Sequence, residues 1–351
     1  MEKYRKIFVD RIKFSGNNLT DRQTDRQTGF ITYFRVFGVI CILLCHLVQE
    51  CSIAYVQMLA QFFNVGVDIF IIISGFCFGL QGKIVEWKKW YKKRIKRIYI
   101  PYEIFLIVLA FVYLIVGRTL NFKNWLSCIL GVQGANVGVL GADHTWFITA
   151  LLLCYLITPV LSEFDFEKKS VTYITIGILW IVPFVLSFMP MRVFHTIGVL
   201  ICYYSIAYIW GRKYQNGYRI HYRYLWHYIL GIIILFMIRV SGKIFMDGSR
   251  MYDCNIVSYT QVLIAFCILA IFSILLSRVK VTDGIKWLGS ISYEIYLYHY
   301  MFIVGPSSFF KVINSWLLAS ILSVAFAVVM AYIMNRAVRK IDIKINEIRV
   351  R

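Results

Sequence analysis

The chain has 351 residues, of which 60% are hydrophobic and only 16% charged, and its mean hydropathy is +0.68. Soluble domains carry about 25% charged residues, so the composition excludes an ordinary water-soluble globular protein and points to an integral membrane protein. A formal net charge of +20 would suggest nucleic acid in a soluble chain, but basic cytosolic loops account for it here, with no nucleic acid as partner.

Residues 1–29 read as a polar N-terminal tail without a cleavable signal peptide. It ends in the short repeat Thr20-Asp-Arg-Gln-Thr24-Asp-Arg-Gln-Thr28, which has no apolar face and reads as solvated. Ten apolar stretches follow, at 30–49, 60–81, 98–117, 145–162, 171–189, 193–210, 225–242, 256–277, 287–305 and 315–335. Each approaches the roughly 20 residues that cross a bilayer core as a helix. Backbone polar groups must be satisfied within each segment, so the expected fold is all-α: an integral-membrane bundle of about ten transmembrane helices spanning 30–336. Residues 337–351 form a basic C-terminal tail. With the N-terminus inside, the even-numbered connections and both tails collect most of the 38 Lys and Arg residues, which places both termini in the cytosol.

The first stretch carries Arg35 and His46. Eleven residues at 100° each come within about 20° of three full turns, so the two share a helix face, about 16 Å apart along the axis. Ionisable groups at membrane depth usually face a protein interior or a water-filled path. The second stretch carries Asp68 and Ser74. A basic loop precedes the third, Lys88-Lys-Trp-Tyr-Lys92-Lys-Arg-Ile-Lys-Arg97, where Arg94 and Arg97 share a face if the helix begins early. The connection 118–143 is long enough to fold over an outer cavity as a re-entrant or lid segment. His144 and Trp146 open the fourth stretch, and Arg239 interrupts the seventh. In the ninth, Ser292, Tyr296 and His299 fall on one helical face, while Gly289 and Ser290 permit close approach of another helix.

Two depths emerge. His46, His144, His299 and Asp68 lie toward the outside, where a neutral histidine suits activation of a hydroxyl. Arg35, Arg94 and Arg97 lie toward the cytosol, where arginines suit phosphate. Arg35 and His46 are too far apart to grip one reacting group, but they suit an elongated channel for a nucleotide thioester with a flexible arm. Nine cysteines include no CxxC pair. Cys51, Cys128 and Cys254 fall in outer loops with room for one bridge, and the odd number argues against a disulfide framework. No metal-ligand spacing is present.

Together these segments resemble the membrane acyltransferase 3 family, integral-membrane enzymes that O-acylate cell-envelope sugars. The matching pieces are Arg35 with His46, Asn64-Val-Gly-Val-Asp-Ile-Phe-Ile-Ile-Ile-Ser-Gly-Phe76, Arg94-Ile-Lys-Arg97 before Pro101, His144-Thr-Trp-Phe-Ile148, and Leu288-Gly-Ser-Ile-Ser-Tyr-Glu-Ile-Tyr-Leu-Tyr-His299. They occur in family order over about residues 30–335. Two features depart from the family: Tyr33-Phe-Arg-Val-Phe-Gly38 stands where a Leu-Arg-Gly or Leu-Arg-Ile run is common, and the hydrolase-like domain fused to some members is not found.

The resemblance implies that His46 is the catalytic histidine and Arg35 its partner. It implies that Arg94 and Arg97, with Lys93 beside them, bind the acyl donor, usually acetyl-CoA, as a co-substrate with no bound cofactor. Asp68, Ser74, His144, Trp146, Ser292, Tyr296 and His299 would shape the acceptor pocket or support His46. The expected protein is a multi-pass O-acetyltransferase of the bacterial plasma membrane acting on a lipid-linked or exported glycan. A proton-coupled transporter or glycan flippase is the alternative for the same intramembrane charges.

Overall fold

The computed structural model describes residues 21–133, 138–189 and 192–350. Among them there is no strand, and eight helices are long and apolar enough to cross a membrane. The molecule is an all-α membrane bundle, as the apolar pattern requires.

The first helix, α1 (Asp21–Gln49), begins well before its apolar run. From Asp21 onward the polar repeat is therefore helical, since its Asp, Arg, Gln and Thr residues contain no helix breaker. The rest of the expected tail, 1–20, lies outside the described residues. Two short helices, α2 (Ala54–Met58) and α3 (Ala60–Phe63), lead into α4 (Val65–Gly79). The basic loop before the third stretch is also helical: α5 runs over Trp87–Ile115 with Pro101 inside it. Hydropathy alone hides those first turns, because Lys and Arg are good helix formers but poor membrane residues. Pro101 has no N–H for the Arg97 carbonyl, and the neighbouring Ile98 carbonyl accepts the Tyr293 hydroxyl at 3.2 Å.

Helix α6 (Phe122–Ile129), capped by the Asn121 side chain, lies within the long connection. A 3₁₀ turn at Asp143–Thr145 opens α7 (Trp146–Glu163). There follow α8 (Lys169–Leu186), α9 (Arg192–Gln215), α10 (Leu225–Met246) and α11 (Val257–Leu275), the last entered through a π-helical turn at Met251–Ile256. The ninth stretch departs most from expectation. It is broken at Ile291 into α12 (Asp283–Ser290) and α13 (Ser292–Ile303). Serine hydroxyls flanking the break bond to local carbonyls, Ser290 to Trp287 at 2.7 Å and Ser292 to Gly289 at 3.1 Å, which competes with helix continuation. At 12 residues, α13 is only about 18 Å long and cannot span a bilayer alone. The last helix, α14 (Trp316–Val350), continues through the expected C-terminal tail, whose final residue lies outside the description.

Glycines set the closest approaches. Gly75 and Gly79 of α4 form a GxxxG pair against α9: a Cβ on either would run into the Tyr204 or Tyr208 carbonyl oxygen, and one on Gly211 into that of Phe76. Gly66 seats α4 on α1, where a Cβ would lie 2.6 Å from Ile42. Gly289 performs the expected close approach against Thr32 of α1, at 2.9 Å. All nine cysteines are free thiols, so Cys51, Cys128 and Cys254 form no bridge.

Candidate active site

The three histidines expected at one depth converge. His46 from the last turn of α1, His144 from the 3₁₀ turn before α7 and His299 from α13 form a cluster. The His46 and His299 ring centroids are 5.2 Å apart, and those of His144 and His299 are 5.0 Å apart. Tyr296 donates its hydroxyl to the His144 carbonyl at 2.6 Å, which ties α13 to the 3₁₀ turn. His299 Nδ1 lies 2.6 Å from the Tyr296 carbonyl. A carbonyl only accepts, so Nδ1 carries the proton and Nε2 is a bare acceptor. His299 is fully buried, and His144 is 8% exposed. His299 Nε2, both ring nitrogens of His144 and Nδ1 of His46 make no well-formed hydrogen bond among the described residues. Buried polar atoms are normally satisfied, so such a concentration marks a site built to receive a polar group.

At the opposite end of α1, Arg35 is half-buried within electrostatic reach of Cys77 from α4, Arg97 from α5 and Tyr155 from α7. Arg94 completes this group. Its guanidinium lies 4.7 Å from the Phe78 ring and 5.6 Å from the Trp90 ring, and it donates to Gln81 Oε1 at 3.1 Å. Aromatic faces hold a guanidinium in place without neutralising it. Arg97 is exposed and within reach of Glu294, whose carboxylate accepts from Asn335 at 2.8 Å. The early start of α5 therefore gathers Arg35, Arg94 and Arg97 into one cationic cluster. Lys93, on the exposed face of α5, stands one turn before Arg97.

Other expected residues divide. Trp146 is half-buried and packs against the main core. Ser74 is half-buried one turn before Cys77, the residue of α4 within electrostatic reach of Arg35. Ser292 is buried but its hydroxyl caps Gly289. Asp68, expected beside the histidines, does not join them. Its carboxylate accepts from Gln261 of α11, which also donates to the Asn64 carbonyl at 2.9 Å, and Arg239 of α10 stands within electrostatic reach. Depth along a helix does not fix the direction a side chain faces, and Asp68 faces away from His46.

Sequence reasoning missed Tyr300. Its ring centroid lies 4.9 Å from that of His46 and 4.9 Å from that of His144, closing the cluster toward the loops. Glu50 and Asp143 lie within its electrostatic reach. Burial pushes the Glu50 carboxyl above its usual range, while the Lys311 ammonium works against the shift. Burial and then Arg118 push the Lys311 ammonium down, opposed by Glu50. Gln133 was missed too. It is 4% exposed, donates to the Tyr102 hydroxyl at 3.2 Å, and accepts from Thr145 at 2.6 Å, next to His144. The connection expected to be re-entrant thus inserts a buried side chain beside the cluster. No run of sequence signals this contact, because Gln133 lies in an irregular segment.

A family model described as an acyltransferase domain, acyltransferase 3, matches residues 28–336. That interval contains both ends of the site. No curated protein and no solved structure matches the chain.

Proposed function

The chain belongs to the acyltransferase 3 family and is a membrane acyltransferase, and on that premise we propose that it O-acetylates a sugar hydroxyl of a cell-envelope or exported glycan, taking the acyl group from cytosolic acetyl-CoA. The observation that carries this reading is the two-ended site on one helix: a cluster of arginines around Arg35 and a cluster of histidines around His46. The two residues are about 16 Å apart along α1, a span suited to a donor with an anionic nucleotide and a long thioester arm. The excess of Lys and Arg in the connections at the Arg35 end supports a reading in which that end faces the cytosol and His46 the outside of a bacterial plasma membrane.

In this reading Arg94, Arg97 and Arg35 hold the donor phosphates, and the thioester reaches up the bundle to His46. His46 removes the proton of the acceptor hydroxyl. The oxygen attacks the thioester carbonyl, the carbon–sulfur bond breaks, and the proton passes to the departing thiolate. An acyl-histidine intermediate is the other route through the same residue. Tyr300, with Glu50 and Asp143 beside it, lines the approach of the sugar. A carrier is the second reading, and the buried Asp68 with Arg239 nearby favours it, since intramembrane carboxylates serve in proton-coupled transport.

Purified protein given labelled acetyl-CoA is expected to release CoA only when an acceptor glycan is present, and to place the label on the glycan. Counterflow of unmodified sugar with no CoA release would establish the carrier instead.

A further inference from the structure

His46 has two ring nitrogens, and only one of them can remove a proton from a substrate. Nδ1 is buried without a hydrogen-bond partner among the described residues, whereas Nε2 is not in that position. Gln49, one turn further along α1, lies near the ring, but its amide N–H is given to Cys45 Sγ at 3.4 Å. Asp68 is turned to Gln261, and Nδ1 of His46 makes no hydrogen bond to a carboxylate among the described residues, unlike the histidine of a Ser-His-Asp triad. Another acceptor has to orient the ring, or the imidazole is free to adopt either tautomer.

His299 is that acceptor. Its Nδ1–H is committed to the Tyr296 carbonyl at 2.6 Å, with the Ile295 carbonyl beside it. Its Nε2 therefore carries a lone pair, fully buried and without a partner among the described residues. The His46 ring is 5.2 Å away centroid to centroid and tilted by 37°. Each ring nitrogen lies about 1.1 Å from its centroid, so Nδ1 of His46 and Nε2 of His299 come to about 3 Å, a hydrogen-bond distance, when both point along the line between the rings, and apo catalytic bonds are often long before substrate binds. His144 is the other imidazole in reach of His299, but the Tyr296 and Leu297 backbone lies beside its ring.

We propose that His299 is a positioning residue for His46: it accepts the His46 Nδ1 proton and so makes Nε2 the nitrogen that takes the proton of the acceptor hydroxyl. This rests on the acyl-transfer reading above. The helix carbonyl of Tyr296 sets the tautomer of His299, and His299 sets that of His46. When His46 gains the hydroxyl proton at Nε2, its Nδ1–H stays bonded to His299, and the Nε2 proton then moves to the thiolate. No proton is lost from the pair.

Two measurements on full-length protein in detergent test this. The first is the nitrogen NMR spectrum of ¹⁵N-histidine-labelled protein, with His46 assigned by loss of its signals in His46→Gln. Native protein should show His46 with Nδ1 protonated and Nε2 bare, and His299→Leu should lose that preference. The second is kinetic. His299→Leu should lower kcat by about 10- to 100-fold with both KM values little changed, as for loss of orientation of a general base. His299→Gln keeps an amide oxygen to accept from His46 and an amide N–H for the Tyr296 carbonyl, and should recover much of the rate. A native His46 protonated at Nε2, or equal rates for the leucine and glutamine variants in folded protein, would overturn the proposal. Absence of acetyl transfer by native protein would instead remove the functional reading, leaving the tautomer result to be judged alone.

Discussion

The two ends of α1 solve opposite problems. At the Arg35 end, guanidinium groups gather: Arg94, half-buried, rests on aromatic faces and on Gln81, and Arg97 is exposed. At the His46 end the charges, Glu50, Asp143 and Lys311, stand around Tyr300 and the loops rather than in the ring cluster itself. Three imidazoles and two tyrosines pack ring against ring, with several ring nitrogens unsatisfied. One region is made to attract an anion, the other to hold a proton acceptor away from bulk water. A long-armed thioester donor needs both, in that order.

If the ends have separate roles, their variants should separate kinetically. The largest effect is expected for His46→Ala, which should lower kcat by about 100- to 10,000-fold, the range for loss of a general base. Residual activity within a few-fold of native would dissolve the contrast between the ends. Next is the Arg94→Gln, Arg97→Gln double variant. One hydrogen bond to a charged group contributes about 1.5–3 kcal/mol, and with the exposed Arg97 screened by solvent the pair together contributes about that much, so the donor KM should rise by roughly 10- to 100-fold while the acceptor KM stays put. Arg35→Gln sharpens the comparison further. Its placement among the arginines predicts a raised donor KM, whereas a pure kcat defect would return it to the role of partner to His46.

These residues also show how much of the fold and site the sequence made legible. His46, His144 and His299 could be grouped because each sits near the same end of its apolar stretch, and depth is what hydropathy and loop charge report. Direction around the helix is not reported, so Asp68 was grouped with them although it faces Gln261. The early start of α5 was invisible to hydropathy, yet it is what brings Arg94 and Arg97 to Arg35. The break at Ile291 depends on local serine hydrogen bonds, and the insertion of Gln133 depends on tertiary contacts. Tyr300 was one aromatic among 24 tyrosines, and only the ring geometry singles it out.

Two smaller effects complete the contrast. Tyr300→Ala should raise the acceptor KM several-fold and leave the donor KM unchanged, as steady-state kinetics with each substrate varied will show. Gly79→Ala should leave both KM values unchanged and lower the thermal unfolding midpoint in detergent. A Cβ there meets backbone rather than a flexible side chain, and overpacking costs about 1–3 kcal/mol. An unchanged midpoint would mean that α4 and α9 are not held by this contact.

The most direct test of the two-ended site is transfer across a sealed bilayer. Protein reconstituted in vesicles with one orientation should be supplied with labelled acetyl-CoA only on the side of the Arg94 end and acceptor glycan only on the side of the His46 end. Label should appear on the glycan across the membrane, and His46→Ala should abolish it. Transfer that occurs only when both substrates share one side would contradict the account.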